Sequence, residues 1–190
     1  RQCSRAKMSE NTQRKHRLCI YSQKQLHQLI DETDICYHQN KKGLIYFFRN
    51  AQSFREGREK LSILQPVMEN LQLLSQTELL KLEPAFQHME TELNGGIYCP
   101  TDESGNCRDF TIKLSEICRG KGVDFHFDTT VKEVLKYNNQ IEKVVCDKGD
   151  FKADKYVLSF AAYSAMFAKM VGDYLPIYPV KGYSFTVPII

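Results

Sequence analysis

The sequence has no tryptophan, no C-x-x-C pair and no apolar run near the ~20 residues that a membrane-spanning helix needs. Its seven cysteines (Cys3, Cys19, Cys36, Cys99, Cys107, Cys118 and Cys146) are odd in number. None stands at zinc-ligand spacing from a histidine, so no metal site is expected. They read as reduced thiols, which points to a cytoplasmic setting. A G-x-G-x-x-G turn is also missing. Gly120-Lys121-Gly122 comes nearest, but it follows a helical pattern and precedes a strand, so it reads as a helix C-terminal stop. No serine or cysteine nucleophile is patterned with His16, His27, His38 or His88, which argues against a hydrolytic triad. His126 alternates with Phe125 and Phe127 and faces away from them. Asp102 and Glu103 are neighbours on a loop, not a pair facing each other across a cleft, and they suit turn chemistry and helix capping. No catalytic residue is assigned.

Charge is sparse but uneven. The net +3 over 190 residues is too small to indicate nucleic-acid binding. Residues 1–24 carry seven Lys and Arg against Glu10, net +6, which leaves −3 on the remainder. A basic helix of this kind suits an anionic membrane surface or an acidic partner, and equally a solvated helix face. Hydrophobic residues at 42% suffice for a core, in one domain or parts of two.

Periodicity predicts a helix over 8–33, carrying Leu18, Tyr21, Leu26, Leu29 and Ile30. The runs 35–39 and 44–49, either side of Asn40-Lys41-Lys42-Gly43, predict a hairpin. Ser53 with Glu56, and Ser75 with Glu78, are capping-box pairs. The first opens a helix toward Leu64 that Pro66 ends or disturbs, and the second opens a short helix that stops at Pro84. Gly95-Gly96 releases a strand over 97–99. An amphipathic helix with Phe110, Leu114, Ile117 and Cys118 follows. Strands are expected at 123–127, 131–137, 141–146 and 151–160, the last three as a β-meander leading into a helix. The pattern alone says mixed α and β.

Two blocks carry chemistry. Tyr178-Pro179-Val180-Lys181-Gly182-Tyr183-Ser184-Phe185-Thr186-Val187-Pro188 brings a cation and a phenol into a strand, where Tyr183, Phe185 and Val187 share one face. Such a pair suits a small carboxylate. The second block is Gly95-Gly96-Ile97-Tyr98-Cys99-Pro100-Thr101-Asp102-Glu103-Ser104-Gly105-Asn106-Cys107. Together with Gly43-Leu44, Phe48-Arg49, Leu82-Glu83-Pro84-Ala85, Gly122-Val123-Asp124-Phe125, Ala153-Asp154 and Tyr163-Ser164, in that order, they resemble the bacterial D-amino acid dehydrogenase small subunits. These are FAD-dependent members of the D-amino acid oxidase superfamily.

The resemblance implies part of a glutathione-reductase-like FAD-binding fold of mixed α/β (α+β) class, with part of an inserted substrate domain. It assigns residues 1–94 to a mostly helical segment with the substrate-domain hairpin. Residues 95–176 fall to the second part of the FAD-binding domain, and 177–190 to the start of a substrate-domain strand. The chain opens at Arg1 and closes at Ile190 inside an apolar run, so it is expected to be a central segment of a longer enzyme, inactive alone.

The implied activity is oxidative deamination of a D-amino acid to a 2-oxo acid and ammonia. Electrons would pass from FAD to a respiratory acceptor, on the cytoplasmic face of the inner membrane and without a span. Lys181, Tyr183 and Tyr46 are the implied substrate contacts, each set against plain exposure or packing. Val131 is the implied backbone contact to the adenine. Ser159, Ala161 and Ala162 stand at the small-residue turn beside the flavin. Ala162 takes the place of a glycine there, and its Cβ resists positive φ. A related amine oxidase acting on glycine, sarcosine or proline, and a non-catalytic remnant of a split gene, remain the alternatives.

Overall fold

A computed structural model describes residues 4–64, 70–89 and 92–183. The chain divides into two compact units, Arg1–Val123 and Asp124–Ile190.

The first unit opens with α1 (Arg5–Thr33). The Ser4 side chain accepts from the Lys7 N–H at its start. Asp34 ends it in the left-handed conformation, φ 52°, with its N–H donating to the Ile30 carbonyl. Lower down, Gln23 donates to the Thr101 carbonyl at 2.9 Å, and His27 Nε2 lies 2.7 Å from Glu103 Oε1.

Residues 35–39 do not form the expected hairpin with 44–49. Strand β1 (Leu44–Phe48) pairs antiparallel with β3 (Gly95–Cys99), fifty residues further on. The 35–40 stretch is held by the 104–106 loop instead. Asn40 and Ser104 exchange backbone hydrogen bonds, and the Asn106 N–H donates to the Tyr37 carbonyl. The cause is Tyr37, which is buried edge-on against Phe110 with ring centroids 5.1 Å apart. It closes over Gly105, where an added Cβ would stand 2.3 Å from the ring.

Helix α2 (Ala51–Leu64) begins two residues before Ser53. Asn50 is the cap, its side chain accepting from the Ser53 N–H at 2.8 Å. Pro66 lies outside the described residues. Strand β2 (Gln72–Leu74) pairs with the other edge of β3, giving the order β1-β3-β2. Helix α3 (Gln76–Leu82) carries the expected capping box between Ser75 and Glu78, and a 3-10 turn runs from Pro84 to His88.

Alternation along the strands puts Ile45, Leu74 and Tyr98 on one face of the sheet. Leu74 joins buried Leu79 and Leu93 there, with Ile45, Phe86 and Tyr98 packed against them. Gly96 is small because an added Cβ would stand 2.9 Å from the Tyr46 carbonyl and 3.2 Å from Leu79. The opposite face carries Tyr46, Phe48, Ile97 and Cys99 beneath α2. Helix α4 (Cys107–Gly120), capped by Asn106, ends at Gly122 with φ 86°.

The second unit is a meander of β4 (Val131–Tyr137), β5 (Gln140–Cys146) and β6 (Gly149–Phe151). Asn138 and Asn139 both take positive φ, 49° and 61°, the two-residue turn that matches strand twist. Residues 123–127 form no strand, and Asp128 turns left-handed, φ 52°, just before β4. Strand β6 stops at Phe151 and does not reach Phe160. The Tyr156 hydroxyl accepts from the Ala153 N–H and donates to the Glu142 carbonyl, which draws the chain away from the ladder. A 3-10 turn over Ala161–Tyr163 leads into α5 (Ser164–Val171). Lys136 donates to the Val171 carbonyl at the end of α5, where a cation is favourable. Among the described residues of this unit, only Ser164 and Ala168 are buried.

Candidate functional site

The residues implied by the resemblance fall on both units, and each unit is described separately.

In the first unit Tyr46 lies on the α2 side of the sheet, 55% exposed. It stands at the edge of a cavity of about 490 Å³ between α2 and strands β1 and β3. The floor is apolar and buried. Leu61, Ile97 and Cys99 are 6%, 8% and 1% exposed, and Phe48 packs against Gly57 of α2. Gly57 is required by that contact, since an added Cβ would stand 2.4 Å from the Phe48 ring. Burial pushes the Cys99 thiol above its ordinary range, so it stays protonated. Polar groups gather around this floor: Tyr46, Ser53, Glu56 and Lys60, with Asp102 from the loop after β3. Cys99, Asp102, Glu56 and Lys60 carry no sequence signal for this placement. It arises from pairing 44–48 with 95–99, a contact that local patterns do not announce.

In the second unit Val131 and Phe160 share the wall of another cavity, of about 310 Å³, closed by Val134, Val144 and Phe167. Ser159 and Ala161 are exposed at the turn into α5, and Ala162 is half-buried. The left-handed residue of this turn is Ala161, φ 47°, with Ala162 following inside the 3-10 turn. The backbone strain therefore sits at Ala161. Small side chains and an exposed main chain fit close approach by a planar ligand, as flavin contact requires. The sequence holds no glycine-rich phosphate turn, so the pyrophosphate grip is no part of residues 1–190.

Lys181 and Tyr183 do come together. The Lys181 ammonium lies over the Tyr183 ring, 5.3 Å from its centroid. The Tyr183 side chain is 77% exposed. Phe185 and Val187, expected on the same strand face, lie outside the described residues.

Asp102 and Glu103 do not act as a pair. Glu103 meets His27, while Asp102 lines the first cavity. No helix among the described residues is long and apolar enough to cross a membrane.

Comparison with solved structures places these elements in a known fold. A glycine oxidase from Bacillus cereus is 19% identical, with a TM-score of 0.67, over 83% of this chain and 42% of its own length. An L-proline dehydrogenase from P. horikoshii is 18% identical, with a TM-score of 0.63, over 77% of this chain and 38% of its own. An L-amino acid deaminase from Proteus myxofaciens is 17% identical, with a TM-score of 0.60, over 73% of this chain and 31% of its own. The chain thus spans less than half the length of each. Identities this low establish the fold alone, and the mixed α/β architecture is theirs. Residues 3–190 match the DAO family, described as FAD dependent oxidoreductase. The chain belongs to the DAO family of FAD-dependent oxidoreductases.

Proposed function

We propose that this chain serves in the oxidative deamination of D-amino acids to 2-oxo acids and ammonia, as part of an FAD-dependent dehydrogenase. The observation that carries the proposal is the Lys181–Tyr183 contact within the block Tyr178–Pro188. When bound, FAD supplies the acceptor for the hydride that leaves the α-carbon. The chain's own residues hold the substrate. Lys181 offers charge to the carboxylate and Tyr183 a directed O–H donor. Tyr46 is the candidate substrate contact of the first unit. Val131, Ser159, Ala161 and Ala162 are the proposed FAD contacts, through their main chain. Electrons leave for a respiratory acceptor at the inner face of the cell membrane. Exposed Lys7, Arg14, Lys15 and Arg17 on α1 give that surface an anionic-lipid contact.

The test is turnover of the full-length protein with D-amino acids, L-amino acids, glycine, sarcosine and proline, using a dye acceptor and then oxygen. D-amino acids reducing the dye faster than the other substrates, with little oxygen uptake, is the expected result. Tyr183→Phe should lower kcat/KM for D-amino acids roughly 10- to 100-fold, the loss of one hydrogen bond to a charged group. An unchanged value removes Tyr183 from the site. A second reading, an amine oxidase for glycine, sarcosine or proline, draws on the likeness to the glycine oxidase and L-proline dehydrogenase folds. Preference for those substrates would select it.

A further inference from the structure

The cavity under α2 has a chemistry of its own. At about 490 Å³ it lies within the range of small-molecule sites. Its floor of Phe48, Leu61, Ile97 and Cys99 offers no charged group. Both signs of charge appear around it. Glu56 and Lys60 stand one turn apart on α2 and are exposed, so neither is locked in the interior. Asp102 and the Tyr46 hydroxyl come from the sheet side.

We infer that this cavity receives an α-amino acid with an apolar side chain, side chain inward and charged head at the mouth. This rests on the proposed function and narrows its substrate class. The carboxylate has Lys60 and the Tyr46 hydroxyl as partners. The ammonium has Glu56 and Asp102. An apolar side chain replaces water over the floor, whereas a charged one meets no partner there and loses its hydration. Leucine carries three more carbons than alanine, and at about 0.8 kcal/mol per buried carbon it binds roughly tenfold tighter or better.

The test is a titration of the whole chain, followed by calorimetry and by NMR signals of Ile97 and Cys99. The probes are D-leucine, D-phenylalanine, D-alanine, D-aspartate and L-leucine. The expected result is D-leucine and D-phenylalanine binding at least tenfold tighter than D-alanine and D-aspartate, with Ile97 and Cys99 shifting on binding. Lys60→Gln and Glu56→Gln alter exposed residues, and each should weaken D-leucine binding five- to tenfold while thermal unfolding stays unchanged. Equal affinity for all side chains overturns the inference. So do absence of binding, shifts confined to other residues, or variants that bind as the parent does. None of these touches the turnover test of D-amino acid oxidation. L-leucine binding as tightly as D-leucine supports the cavity and counts against the D-amino acid reading.

Discussion

Replacing Gly105 with alanine should cost the first unit far more than a surface methyl group. The new Cβ would stand 2.3 and 2.5 Å from two carbons of the Tyr37 ring, well inside contact distance. Tyr37 has little room to yield. Its ring is 6% exposed and packs edge-on against Phe110. Its carbonyl accepts from the Asn106 N–H at 2.8 Å, which ties the 35–40 stretch to the loop bearing Asp102 and Glu103. Overpacking of this kind costs about 1–3 kcal/mol, so the substitution should lie near the upper end. Tyr37→Ala alone should cost about 3 kcal/mol by lost burial. The two should not add. With the ring gone, alanine at 105 meets no clash and gains roughly 0.5 kcal/mol from a less flexible unfolded chain. Urea titrations of the parent, both single variants and the double variant give the coupling energy directly, with about 2–3 kcal/mol expected. Full additivity, with Gly105→Ala equally costly in both backgrounds, would refute the claim that Tyr37 locks this loop.

Ala161→Gly should stabilise the second unit by roughly 0.5–1 kcal/mol, since it relieves the left-handed φ of 47° at a small cost in chain entropy; a lower midpoint in urea would contradict this. Asp147 is held below its ordinary pKa chiefly by the Thr130 N–H, 2.9 Å from its Oδ1. Its contribution is therefore complete above the ordinary carboxylate pKa of about 4 and is lost as pH falls through the lowered folded value. Asp147→Asn should flatten that part of the acid unfolding curve, and an unaltered curve would show the bond to be idle. Cys99 is 1% exposed with its thiol pushed up by burial, whereas Cys19, Cys36 and Cys107 are exposed. Iodoacetamide at pH 8 should modify those three first, and early Cys99 labelling in peptide mass maps would place it at the surface.

Local signals were legible in the sequence where their cause is local. Ser75 and Glu78 close a capping box because three residues of separation are all it requires. The Asn138-Asn139 turn fixes β4 and β5 at nearly their expected bounds, since both residues tolerate positive φ. The Lys181–Tyr183 contact follows from their nearness in the chain. Where two candidates competed, sequence did not choose. Asn50 and Ser53 are both good caps, and Asn50 prevails, with its carbonyl also accepting from the Phe54 N–H. Long-range pairing was not legible. Residues 35–39 and 44–48 alternate like a hairpin, yet the burial of Tyr37 and the packing of Leu79 at Gly96 send them to partners more than forty residues away. The α2 cavity inherits that blindness, because its walls come from segments far apart in the chain.

The scant interior of the second unit bears on how such a polypeptide behaves in the test tube. Val157 is 87% exposed and Phe160 45%, within the extended stretch Tyr156–Phe160. Two small buried side chains, Ser164 and Ala168, cannot offset the ordering of some sixty residues. Severed after Val123, this portion should arrive loosely folded and dye-binding, and it should precipitate through its β-prone stretch unless another polypeptide sheathes it.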